Sequence, residues 1–97
     1  MNLFVKANDV VLSPRIRTYI ERRVRMVLGR FGPKIAGVSV RLSGVEGPGG
    51  GVDKLCRIET RFWGRAVVTV EEVAVDLPQA IDRSIRRMGR GIARAAA

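Results

Sequence analysis

Apolar and polar positions change period several times along the chain, and each change marks an element. Leu3, Val5 and Ala7 alternate with Asn2, Phe4 and Lys6, the two-residue period of a short strand, and Asn8-Asp9 supplies a turn. From Pro14 to Phe31 the period becomes helical: Ile16, Tyr19, Ile20, Val24, Val27, Leu28 and Phe31 share one side. Ser13 before Pro14 is a helix start, because a proline at the first helical position loses no usable hydrogen bond, and Gly32-Pro33 is a stop. Val38, Val40 and Leu42 then alternate with Ser39, Arg41 and Ser43, predicting a second strand, and Gly44 to Gly51 reads as a flexible loop. Cys56, Ile58, Thr60 and Phe62 alternate with Arg57, Glu59, Arg61 and Trp63; a turn at Trp63-Gly64 and a run from Ala66 to Val70 complete a hairpin. Asp76, with Gln79 three residues on, caps a last helix over Leu77 to Ala97, whose Ile81, Ile85, Met88 and Ile92 share a face.

The order is β-α-β-β-β-α. Two helices with one apolar face each need a sheet face to cover, so the expected fold is an α+β two-layer sandwich, a four-stranded mixed sheet with both helices on one side. Residues 1–97 read as a single domain. At 46% hydrophobic residues the chain is too apolar for a disordered segment. One cysteine and no histidine leave neither a disulfide framework nor a zinc site of the usual kind, so no metal or cofactor is expected. The opening residues lack the apolar block of a secretory signal and no run of 18 apolar residues occurs, so a cytoplasmic location away from membranes is expected.

Charge changes the picture most. The formal net charge is +9, and all of it falls on the two predicted helices. The first carries Arg15, Arg17, Arg22, Arg23, Arg25 and Arg30 against Glu21; the second carries Arg83, Arg86, Arg87, Arg90 and Arg94 against Asp82. Elsewhere acids and bases balance. On a helical wheel the five arginines of the second helix lie within about 100°, opposite its apolar residues. Arginine predominates over lysine, and its planar fork suits bidentate contact with phosphate. A solvated charged face is the bland alternative. Two such faces with almost no acids between them point instead to a polyanion, since clustered arginines repel one another until an anion covers them.

The residues do not form a catalytic constellation. Cys56 lies on the apolar side of its strand with no histidine to activate it, and Glu71-Glu72, if in a strand, point to opposite faces. Gly29-Arg30-Phe31-Gly32 spells a GxxG but is followed by proline and a strand, so it reads as a helix stop; Gly47 to Gly51 precedes a strand, where no helix N-terminus can receive a phosphate. Neither an enzyme nor a small-molecule substrate is expected. The five aromatics, Phe4, Tyr19, Phe31, Phe62 and Trp63, mostly occupy expected core positions, with Trp63 read as a partly buried turn residue, so a base-stacking platform is not expected.

Tyr19-Ile20-Glu21-Arg22-Arg23-Val24, then Leu28, Arg30-Phe31 and Lys34-Ile35, together with Asp76, Ala80-Ile81-Asp82, Ile85, Arg87-Met88, Arg90 and Ile92, resemble the two helices of the bacterial ribosome hibernation-promoting factors, also called the ribosome-associated inhibitor or sigma-54 modulation family. The resemblance spans nearly the whole chain and matches the family's short form. It implies docking on rRNA in the decoding region of the small ribosomal subunit and reversible inhibition of translation, a role tied to stress. By matching position it assigns RNA contacts to Arg22, Arg23, Arg87 and Arg90; the charge distribution adds Arg30, Arg83, Arg86 and Arg94. A general RNA-binding module not specific to the ribosome is the alternative, attachment to anionic lipid a weaker one, and self-association is left open. Gly89 and Gly91 depart from the family pattern and weaken the second helix by about 1 kcal/mol each relative to alanine.

Overall fold

The computed structural model describes residues 1–47, 50–64 and 66–96. Its elements are β1 (Asn2–Asn8), α1 (Pro14–Leu28), a 3-10 segment (Gly29–Lys34), β2 (Ile35–Glu46), β3 (Val52–Phe62), β4 (Val67–Ala74) and α2 (Leu77–Ala96). The strands form one sheet in the order β1-β2-β3-β4. β1 and β2 are parallel, which requires a crossover, and α1 provides it. β2 with β3 and β3 with β4 are antiparallel neighbours joined directly. The expected α+β sandwich is therefore the fold observed.

Local chemistry explains each boundary. The Ser13 hydroxyl accepts from the Ile16 amide at 3.1 Å and starts α1 at Pro14. The Asp76 carboxylate accepts from the Gln79 amide at 2.9 Å and starts α2. Three expected limits move. α1 ends at Leu28 rather than Phe31, because Gly29 to Lys34 tightens into the 3-10 segment before Ile35 enters the sheet. β2 runs on to Glu46, since Gly44, Val45 and Glu46 find partners in Lys54, Asp53 and Val52, so the loop shrinks to Gly47–Gly51. Its Pro48 and Gly49, like Arg65 and Ala97, lie outside the described residues. β4 extends to Ala74 and so includes Glu71 and Glu72. Gly64, at φ +101°, makes the turn after Trp63 in a conformation other residues avoid.

The core lies between the helices and one face of the sheet. Ile20, Val24 and Leu28 of α1 and Ile81, Ile85, Met88 and Ile92 of α2 are buried, as are Val38, Val40 and Leu42 of β2 and Cys56, Ile58 and Thr60 of β3. The alternation in β2 thus divides inward from outward residues as its period requires. The Ser84 hydroxyl, fully buried, lies within 3.0 Å of the Cys56 carbonyl and 2.8 Å of the Ala80 carbonyl, tying α2 to β3. Burial pushes the Cys56 thiol up to about 11, in keeping with a small core residue rather than a nucleophile. Tyr19, Phe31 and Phe62 pack half-buried against the core as expected, whereas Phe4 and Trp63 are 55% and 72% exposed.

α1 and α2 meet where a Cβ on Gly89 would stand 2.7 Å from Val27 Cγ1. A glycine that would weaken an isolated helix is here packed against Val27 of the other helix with no room for a side chain. Gly91 has no such constraint, its nearest neighbour being ordinary contact at 3.9 Å. Gly91→Ala is expected to raise unfolding free energy by about 0.5–1 kcal/mol, measured by urea denaturation. Gly89→Ala meets a packing cost of about 1–3 kcal/mol that cancels or exceeds the same propensity gain, and Val27→Ala in the same chain should relieve it.

Candidate nucleic-acid interface

The closeness of α1 and α2 decides which arginines meet. Along the outer seam of the two helices runs a groove of about 270 Å³ lined by Arg23, Val27, Arg30, Arg86, Gly89, Arg90 and Ala93. The floor is small and apolar, made by Val27, Gly89 and Ala93. Four guanidinium-bearing side chains stand around it, one from α1, one from the 3-10 segment and two from α2.

Each of the eight expected site residues now has a place. Arg23, Arg30, Arg86 and Arg90 share the groove. Arg30 stacks its guanidinium over the Phe31 ring at 4.6 Å from the centroid, a cation–π contact that leaves its N–H groups free to donate. Arg22 lies on a neighbouring hollow of α1 with Pro14, Arg15, Thr18 and Tyr19. Arg94 is exposed near the end of α2. Arg83 and Arg87 turn the other way: Arg83 Nη1 donates to the Val73 carbonyl at 3.3 Å and Arg87 Nη1 to the Glu71 carbonyl at 3.2 Å. The Arg87 guanidinium is also 3.8 Å from the Glu72 carboxylate. The reason is geometric. Residues four apart on a helix lie along one side, carbonyls two apart on a strand face one way, and β4 is an edge strand whose polar groups need partners. The single arc of arginines seen on the helical wheel is therefore split between the groove and the β4 edge.

Asp82 is the acid that joins the two helices. Its Oδ1 accepts from the Tyr19 hydroxyl at 2.6 Å and stands 3.4 Å from Arg23 Nε, an ion pair without an aligned hydrogen bond. Arg23 Nη1 meanwhile rests 3.6 Å from the sulfur of Met26. Tyr19, Asp82, Val27, Gly89 and Ala93 are the site residues that the sequence reading missed. Tyr19 and Asp82 are 63 positions apart, and only the helix pairing brings them together. The sole sequence signal was Asp82 as the one acid within the arginine-rich stretch of α2.

Chemically, four guanidinium groups converging on one groove can bind a polyanion. Among the described residues no group of three potential metal-binding side chains occurs, and no helix is long and apolar enough to cross a membrane. Fold and groove together define a small α+β protein with a paired-helix arginine seam suited to phosphate. The profile of the family described as "Sigma 54 modulation protein / S30EA ribosomal protein" matches residues 3–97, and the chain belongs to that family. Among solved structures, the Protein Y N-terminal domain of Thermus thermophilus is similar at 25% identity with a TM-score of 0.78, covering 97% of this chain and 98% of that one. A ribosomal subunit interface protein from Coxiella burnetii shares the fold at 11% identity with a TM-score of 0.85, covering 99% of this chain and 98% of that one. No curated protein sequence matched the chain.

The contact between Tyr19 and Asp82 has a measurable consequence. The phenol's pKa is raised, chiefly because its proton is shared with the Asp82 carboxylate and also by burial and the nearby negative charge. The neutral form is favoured in the folded state, so this contribution to stability is complete below the ordinary tyrosine value of about 10 and is lost as pH rises through the higher folded value. In Asp82→Asn the titration of Tyr19, the only tyrosine, should move down toward that ordinary value, read by ultraviolet absorbance of tyrosinate.

Proposed function

We propose that the protein binds the small ribosomal subunit, seats the α1–α2 groove on rRNA in the decoding region, and holds translation off reversibly by occupying sites needed by mRNA and tRNA. The observation that carries this reading is the convergence of Arg23, Arg30, Arg86 and Arg90 on one groove with Asp82 as the acid beside it. Family membership supports a ribosomal target, as does the naming of the Coxiella relative as a ribosomal subunit interface protein. The groove is open and shallow rather than enclosed, which suits a phosphate backbone crossing it. The charge is held on two packed helices, so the backbone that carries the guanidinium groups is already ordered before binding.

Arg22, in the neighbouring hollow of α1, and Arg94, exposed near the end of α2, are further contacts with rRNA. Arg83 and Arg87, anchored on β4 carbonyls, contribute mainly by holding α2 on the sheet. This departs from equal roles for all eight arginines, because a guanidinium already donating to backbone has fewer N–H groups for phosphate.

Sedimentation with vacant ribosomes through a sucrose gradient tests the proposal: the protein should travel with the small subunit at low salt and leave it as salt rises. Four phosphate contacts correspond to a slope of about −3 for log affinity against log salt, taking the single-strand coefficient for rRNA. Arg86→Glu with Arg90→Glu should weaken binding by about 100-fold or more, whereas Arg83→Ala should leave affinity within about 2-fold and lower the melting temperature instead. A protein that stays in the light fractions at low salt, or that prefers free duplex RNA to ribosomes in competition, would remove the ribosome from the account.

A further inference from the structure

The face of the sheet away from the helices is also charged, and its charge is unevenly answered. The register sets Lys6 of β1 opposite Arg41 of β2, Arg41 opposite Arg57 of β3, and Arg57 opposite Glu71 of β4. Three cations in a row across adjacent strands are unfavourable neighbours. On the β4 side the repulsion is relieved: Arg57 is paired with Glu71 at 2.6 Å, and Arg61 lies 3.8 Å from Glu59. On the β1 side no acid pairs with Lys6 or Arg41 among the described residues.

A cavity of about 470 Å³ opens there, lined by Leu3, Phe4, Val5, Lys6, Arg17, Ser39, Val40 and Arg41. Three cations from three elements, Lys6, Arg17 and Arg41, meet in it with the Ser39 hydroxyl and no acid. Phe4, directly opposite Ser39 and two residues along β1 from Lys6, is 55% exposed. A phenylalanine left that open on a strand whose other face carries the core residues is costly to leave in water and well placed to take a flat partner.

From this juxtaposition of an open aromatic ring with three unanswered cations, we infer that the β1–β2 half of the open sheet face binds single-stranded RNA, an unpaired base stacking on Phe4 and adjoining phosphates lying on Lys6, Arg17 and Arg41. The strand rises about 3.3 Å per residue, so Phe4 and Lys6 are separated by about 6.6 Å, which places a base and a neighbouring phosphate on successive outward positions. A duplex has no unstacked base to give Phe4, and a purely anionic partner has no use for the ring. The site lies at the β1 side of the sheet, with Arg17 reaching it from α1, and shares no residue with the α1–α2 groove, so the molecule can touch RNA at two separate places. The inference stands apart from the ribosome reading, because it is tested with a free oligonucleotide.

The test is fluorescence anisotropy with a labelled oligouridylate, on the wild-type chain and on three variants whose melting curves confirm folding. Lys6→Glu with Arg41→Glu should weaken binding at least 10-fold, Phe4→Ala about 10-fold, and Arg25→Glu, a charge reversal at an exposed position outside both sites, less than about 3-fold. Three phosphate contacts correspond to a slope of about −2 for log affinity against log salt. In the wild-type chain, amide resonances of residues 3–6 and 39–41 should shift on adding the oligonucleotide, which gives a reading independent of any substitution. Wild-type affinity in Lys6→Glu with Arg41→Glu, or shifts confined to α1 and α2, would overturn the inference. Uridine monophosphate binding as tightly as the oligonucleotide would overturn the assignment to a strand.

Discussion

The close passage of α2 over α1 at Gly89 and Val27 is the contact on which the arginine seam depends. A side chain at position 89 would push the helices apart, and with them the two groups of arginines that now share one groove. Bringing like charges together this way costs a few tenths of a kcal/mol for each exposed pair, far less than the several buried Ile, Val, Leu and Met side chains beneath contribute. The core therefore holds the cations in an arrangement they would not choose. Asp82, accepting from Tyr19 and pairing with Arg23, offsets part of that repulsion at one end of the seam and leaves Arg30, Arg86 and Arg90 around the rest.

The β4 edge shows a different use of the same residue type. An exposed edge strand offers its carbonyls and amides to any other strand, and Arg83 and Arg87 engage two of those carbonyls from above while Glu71 and Glu72 place charge along the strand. Arginines that a linear reading groups with the RNA-facing set are, in three dimensions, what keeps α2 seated and the edge occupied. The same helix thus faces two tasks on two sides. Arg86 and Arg90 incline toward α1, and Arg83 and Arg87 toward β4, because α2 lies across β3 and β4 with α1 on its other flank.

The fold was largely legible in the residues. Strict alternation in β2 and β3, helical spacing in α1 and α2, and side-chain caps at Ser13 and Asp76 are local signals, and each corresponds to an observed element. Limits set by tertiary pairing were not legible: Gly44 to Glu46 look like loop residues and become strand only because Val52 to Lys54 pair with them. Phe4 misled in the same way. Phe4 alternates as a strand residue should, but its parity sends it to the open face, where no helix covers it.

The sequence by itself determined the element order, the sandwich, the apolar faces that build the core and the confinement of net charge to two helices, because these depend on periodicity and composition, which are properties of neighbours along the chain. The tertiary structure alone decided which arginines converge, that Gly89 is a packing contact rather than a weak point, and that Asp82 and Tyr19 touch. Those outcomes depend on how far apart and at what angle two helices lie, and that is settled by side chains meeting across the core rather than by any local pattern.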